Sequence, residues 1–162
     1  MSPEVLAERR VGGARAGTAL VRPRTPREIE RAAARARKRR IRALWEERMQ
    51  RRLLLIVGVA AKAYEVEPEV LAQRVNVRAA SRSRTLYCLL GRRFVRTLGG
   101  QPVPTTLIGL TIERDHTTVL HHLAFAEHMM ASTGRNGEEQ RFRAEATLAM
   151  ANLQQAGWST RA

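Results

Sequence analysis

Four consecutive side chains with hydrogen-bonding chemistry, Asp115, His116, Thr117 and Thr118, sit directly ahead of a helical apolar stripe. Val119, Leu123, Ala126 and Met130 follow at intervals of four, three and four, which is one face of a helix. Asp115 has the chemistry of an N-cap, because its carboxylate can accept from the backbone N–H of Thr117 or Thr118. His116, Thr117 and Thr118 then form a first turn largely off the buried stripe. A helix that buries its later turns and offers such groups at its start has the form of a recognition helix, whose N-terminal residues meet base edges in the major groove. A capped amphipathic helix with no such role has the same periodicity.

Other chemistry is scarce. The chain has 29 Lys and Arg against 15 Asp and Glu, a formal charge of +14, which implies an acidic partner and most simply nucleic acid. Residues 1–50 hold 14 basic against 6 acidic residues and residues 51–100 hold 10 against 3, whereas residues 101–162 hold 5 against 6. The helix at 116 therefore does not supply the positive field, which comes from the first hundred residues. Of the basic residues 27 are arginine, a bias that suits bidentate phosphate contacts and equally follows from a GC-rich genome. Cys88 stands alone, so no disulfide framework or thiol pair exists, as expected in a reducing cytoplasm. The four histidines are not joined by a cysteine or carboxylate set, His121 and His122 being adjacent and so divergent; no metal and no cofactor is expected. Neither a phosphate-binding G-x-x-x-x-G-K-[ST] loop nor a nucleophile, base and orienter trio is visible, which argues against an enzyme. The N-terminus has no signal-peptide pattern, and the longest apolar run, Leu53 to Ala61, is too short to span a bilayer. A cytoplasmic, nucleoid-associated protein without membrane contact is expected.

The elements that must carry this segment read as all-α. Residues 1–24 mix Arg, Gly, Ala and Pro without a period and read as a disordered basic tail. Thr25-Pro26-Arg27-Glu28 is a capping box with proline at the first helical position, opening a basic helix over 25–50. Its thin apolar stripe suits either a helix lying along a nucleic-acid backbone or a solvated lead-in. The compact domain is expected over 51–132. Its first helix, from Leu53 to Tyr64, is apolar nearly all round; a short helix from Pro68 to Val75 follows, with Val70, Leu71 and Val75 inward. Asn76 to Arg84 reads as a basic loop, and a helix from about Ser83 to Leu98 turns Leu86, Leu89, Leu90, Phe94 and Leu98 inward. Arg84, Arg92 and Arg96, with Cys88 between, then share one outer stripe that can follow a strand's phosphates or merely be solvated. After the loop at Gly99–Pro104 comes a helix over 105–112 and a turn at Glu113. Residues 133–162 hold a final helix from Glu138 to Gln155, with Phe142, Ala146, Ala149 and Leu153 on its apolar side and Gly157 as its C-cap.

The run Ile108-Gly109 followed by Arg114-Asp115-His116-Thr117-Thr118-Val119 and His121 closely resembles the signature of the C-terminal DNA-binding domain of the bacterial replication initiator DnaA. Residues 52–131 are similar to that domain, and no ATPase domain accompanies them. The resemblance implies a helix-turn-helix fold with double-stranded DNA as partner. It implies base contacts from Asp115, His116, Thr117 and Thr118, and backbone or minor-groove contacts from Arg78, Arg82, Arg84, Arg92, Arg96 and Arg114. The minor-groove arginine of the family falls by strict counting on Asn76, with Arg74 and Arg78 each two residues away; Arg78 is the choice here. The sequence departs from the family twice, in a longer loop at 99–104 and in a turn at 111–113 that lacks one residue and a glycine. That turn either differs or strains a left-handed residue. The expected function is sequence-specific DNA binding as a transcription regulator. Open beside it are a replication-associated protein that binds or masks DnaA-box-like sites and a nonspecific structural nucleic-acid binder. The terminal helices are free to meet another protein, and the sequence leaves the oligomeric state open.

Overall fold

A computed structural model describes residues 25–132 and 136–159. The tail expected over 1–24 lies outside the described residues, as do 133–135 and 160–162. The described residues form five α-helices and one short 3₁₀ turn, with no strand among them: α1 Pro26–Ala63, the 3₁₀ turn Pro68–Leu71, α2 Arg78–Phe94, α3 Thr105–Thr111, α4 His116–Ala131 and α5 Gly137–Gln155. The protein is all-α. It divides into two compact units, Met1–Arg35 and Ala36–Ala162.

In the first unit the described residues begin α1 with the expected capping box. The Thr25 N–H donates to Glu28 Oε2 at 2.7 Å, and the Glu28 N–H donates to Thr25 Oγ1 at 3.3 Å. Proline at N1 costs nothing there, since its missing N–H would have no helical acceptor.

In the second unit α1 continues unbroken through the position where the sequence suggests a boundary between two helices. Between Ala36 and Arg48 every residue except half-buried Trp45 is exposed. Burial begins at Met49 and recurs at Leu53, Ile56, Val57, Ala60 and Ala61. This half is amphipathic rather than apolar all round, since Leu54 and Leu55 are 56% and 62% exposed. Five consecutive apolar residues give no period from which a face can be read, and only the packing partners select one. At its end Glu65 takes a positive φ of 54°, which turns the chain into the 3₁₀ turn. That turn stops at Leu71, leaving Val75 exposed rather than inward.

The centre of the unit is α2, which begins at Arg78, five residues earlier than expected. Most of the anticipated basic loop is therefore helical, and only 72–77 remains irregular. Ser83 through Gly91 is buried without interruption, because α3, α4, α5 and the 3₁₀ turn pack on this helix and Leu53 of α1 meets it at Gly91. A Cβ on Gly91 would lie 3.0 Å from Leu53 Cδ2, so α1 and α2 meet closely there. Helix α2 ends at Phe94, and the next residues fold back: Val103 N–H donates to Val95 O and Thr97 N–H to Gln101 O. That reversal leaves Leu98 at 60% exposure, against its expected inward position.

Helix α3 is tied to α2 by the buried Tyr87 hydroxyl, which donates to Ile108 O at 3.0 Å. Helix α4 buries Val119, Ala126 and Met129, with Leu123 and Met130 half-buried on the same side. Helix α5 buries the four residues expected of it, Phe142, Ala146, Ala149 and Leu153. It is capped by Asn136 Oδ1, which accepts from Glu139 N–H, and is closed by Gly157 at φ +81°. There the Trp158 N–H reaches back to Leu153 O at 2.9 Å, a left-handed helix stop that glycine makes without strain.

A candidate nucleic-acid interface at the start of α4

Helix α4 starts where the sequence places it. Asp115 is the N-cap: its Oδ1 accepts from the Thr118 N–H at 2.7 Å and from the Thr117 hydroxyl at 2.5 Å. Those two bonds, the hydroxyl's first, hold the carboxyl down to about pKa 2, so it is ionised across the physiological range. Asp115, His116 and Thr117 are exposed and Thr118 is half-buried. The first turn of α4 thus offers one carboxylate, one imidazole and two hydroxyls to solvent, within a single helical turn.

The turn before it adopts the left-handed residue that the sequence leaves in question. Glu113 has φ +51°, and its backbone takes this form without glycine. The reason lies in Gly109. The Arg114 N–H donates to Gly109 O at 2.9 Å, and a Cβ on Gly109 would lie only 2.3 Å from Arg114 O. Glycine at 109 lets the turn close onto α3, and the closed turn imposes the positive φ on Glu113.

Two arginines fix the segment that faces this helix start. Arg84 is only 6% exposed, and its guanidinium donates to Leu71 O at 2.9 Å, Val70 O at 2.9 Å, Gln73 O at 2.6 Å and Val75 O at 3.1 Å. Arg114 donates to Ala72 O at 3.0 Å and Gln73 O at 2.5 Å. Burial lowers the pKa of Arg84 and the neighbouring Arg114 charge lowers it further. The carbonyl oxygens of 70–75, left without helical donors where the 3₁₀ turn stops, take their place as acceptors. A groove of about 670 Å³ results, with Arg74, Val75 and Asn76 on one side and Asp115 and Thr118 on the other. It continues past Asn76, Ser81 and His122 into a second hollow of about 430 Å³ that reaches Arg78 and Arg82.

The remaining arginines do not form the expected outer stripe. Arg84 and Cys88 are buried, and Arg92 is half-buried with its NH1 on Val103 O at 2.7 Å. Arg96 is half-buried in the bridge it forms with Pro102. The spacing of eight and four is real, but α2 is enclosed from Ser83 to Gly91, which buries Arg84 and Cys88, and it ends at Phe94, before Arg96. Burial raises the Cys88 thiol to about pKa 12 and leaves it unreactive. Arg78 and Arg82 both pair with Glu138 of α5, at 2.5 and 2.9 Å, and Arg82 also lies over the Phe125 ring at 4.5 Å. Arg78 is exposed at the first position of α2, whereas Arg74 is exposed beside the groove and carries no ion pair among the described residues.

The structural role of Arg84 is not what its spacing suggests, although the sequence carries a signal of it. Leu86-Tyr87-Cys88-Leu89-Leu90-Gly91 has no polar break, which marks a helix surrounded by others; a charge at its edge must then find buried partners. His122 is a second such residue. The Thr85 hydroxyl donates to Ser81 O at 3.0 Å, so the His122 Nδ1 proton closes the 2.9 Å contact to Thr85 Oγ1 and Nε2 is left as an acceptor. Burial first, then the charges of His121, Arg84 and Arg114, bring its pKa down to about 4. His121 is exposed, and its ring meets that of His122 edge-on at 6.3 Å.

No protein-family model matches this sequence, and no curated protein matches it. Among the described residues no three His, Cys, Asp or Glu side chains are grouped to hold a metal ion, and no helix is long and apolar enough to cross a membrane.

Proposed function

We propose that this protein binds double-stranded DNA sequence-specifically through α3 and α4, a helix-turn-helix of the DnaA C-terminal type, and acts as a transcription regulator. The observation that carries this reading is the capped, exposed start of α4, in which the resembling run Arg114 to Val119 falls at the turn and first helical turn. In the proposed complex this turn enters the major groove. Asp115 accepts from a cytosine amino group, while His116, Thr117 and Thr118 supply hydrogen bonds and thymine-methyl contacts. Asp115 Oδ1 is engaged as the cap, so its base contact falls to Oδ2.

Phosphate contacts are reassigned by the burial pattern. Arg84, Arg92 and Arg114 donate to backbone carbonyls and hold the interface in shape. Exposed Arg74 and Arg78, with the arginine-rich exposed run of α1 between Ala36 and Arg48, supply the charge that meets the DNA backbone. The segment at 72–77 lies beside the recognition turn and so takes the minor-groove position that the resemblance implies.

A second reading has its own support, in that most of the exposed positive charge lies outside α4. A nonspecific nucleic-acid binder would use that charge alone. The test is selection from random duplex DNA at near-physiological salt, with wild type and with the double variant His116→Ala/Thr117→Ala. These substitutions leave the Asp115–Thr118 cap bond in place. A motif enriched by wild type and lost by the variant is expected. No enrichment by either protein overturns the proposal in favour of nonspecific binding.

A further inference from the structure

On the side of α2 that faces α5, a cavity of about 260 Å³ is lined by side chains from α2, α5 and the residue that follows α1. Arg78 and Arg82, four residues apart, come from the first turns of α2; Arg141 comes from α5; Tyr64 follows the last residue of α1. Tyr64 is only 7% exposed, and its buried hydroxyl has no hydrogen-bond partner. The hydroxyl has no accessible surface, so the cavity meets Tyr64 through its other atoms. Burial first, then the charge of Glu145, which does not line the cavity, raise the pKa of this hydroxyl to about 12.

Three guanidiniums face one carboxylate there. Glu138 bridges Arg78 and Arg82, and its side chain is 39% exposed, so it can leave without disturbing the core. Arg141 lies over the Tyr64 ring at 5.8 Å and forms no ion pair among the described residues. The start of α2 adds its N-terminal N–H groups, and Val77 offers no side-chain cap to them. Three guanidiniums against one lining carboxylate, at the N-terminus of α2, match a tetrahedral oxyanion with several acceptor oxygens.

We propose that this cavity binds a phosphate group, held by Arg78, Arg82 and Arg141, and that Glu138 is the internal carboxylate it displaces. The phosphate is either that of a nucleic-acid backbone or a free phosphate, since both present the same oxygens. The site stands on its own geometry and does not require that α4 reads bases.

The test is titration of the full chain with inorganic phosphate against chloride at equal ionic strength, followed by the amide NMR shifts of Ala79 and Ala80 and by thermal shift. Wild type is expected to saturate. Arg141→Gln, a change at an exposed position, is expected to weaken phosphate binding at least tenfold. Glu138→Gln is expected to tighten it by about five- to tenfold. Wild type that does not saturate, or an Arg141→Gln variant with unchanged affinity, overturns the site; equal affinity in wild type and Glu138→Gln overturns the displacement. The source is then read from DNA binding. A salt dependence flattened by about one unit in Arg141→Gln identifies a backbone phosphate, and an unchanged slope with the phosphate defect retained identifies a free one. Loss of sequence selectivity at His116 and Thr117 is a separate readout, so failure of the DNA-reading proposal is distinguishable from failure of this one.

Discussion

Arg84 and Arg114, thirty residues apart, donate to the same acceptor, the carbonyl oxygen of Gln73, at 2.6 and 2.5 Å. Arg84 belongs to the central helix and Arg114 to the turn before α4, so one carbonyl joins the core to the candidate interface. Two like charges are tolerated side by side because the carbonyls of 70–75 surround them with acceptors.

Replacement of Arg84 measures that junction. Arg84→Ala removes four carbonyl contacts from a buried position and is expected to cost about 2–4 kcal/mol. Arg84→Lys has no planar fork with which to reach acceptors spread over Val70 to Val75, and it is expected to cost about 1–2 kcal/mol. Urea unfolding of both variants checks this. Stability equal to wild type in Arg84→Ala would mean that the clamp contributes nothing.

The turn before α4 makes opposite predictions at two positions. Glu113→Gly relieves a left-handed backbone and is expected to raise stability by about 1 kcal/mol, with α4 unchanged. Gly109→Ala drives a methyl into the Arg114 carbonyl and is expected to lower stability by about 2 kcal/mol or more. Thermal unfolding that moves both in the same direction would contradict the account of why Glu113 has its positive φ.

His122 predicts an acid-sensitive core. Its folded pKa, about 4, lies below the ordinary imidazole value of 6.5, so the neutral form stabilises the fold fully above 6.5. That contribution is lost as pH falls from 6.5 towards 4, because the unfolded chain takes up the proton first. The expected loss is about 2 kcal/mol after allowance for solvent screening. In His122→Gln the stability slope over this window should be shallower, as measured by denaturation at pH 7, 5.5 and 4.5.

Asp115 combines a cap with the proposed base contact, and two substitutions separate them. Asp115→Asn retains an oxygen for the Thr118 N–H and should keep α4 intact, whereas Asp115→Ala should fray its first turn. If Asp115 accepts from a cytosine amino group, Asn should lose preference at that base while folding normally. An Asn variant with wild-type selectivity would assign Asp115 to capping alone. The cap also carries a pH dependence: it is complete above the ordinary carboxyl value of 3.8 and lost as pH falls to about 2. Circular dichroism and backbone amide shifts of Thr117 and Thr118 report it.

Elements governed by local rules are legible in the chain before it folds. The Thr25/Glu28 capping box, the Asp115 cap and the Gly157 stop depend on residues within a few positions of one another, and each is found where local chemistry puts it. Packing settles whatever depends on how many neighbours a helix has. Leu54 and Leu55 face solvent although they belong to the most apolar run of the chain, because α1 buries only the face that carries Leu53, Ile56 and Val57. Arg84 and Cys88 are buried although their spacing suits an outer stripe, because α2 is enclosed. The loop expected before Ser83 is helix from Arg78, whose side chain is held by Glu138, a residue 60 positions further along. A periodic pattern specifies which side chains share a face. Whether that face meets water or protein depends on contacts between distant segments, and these exist only once the chain has folded.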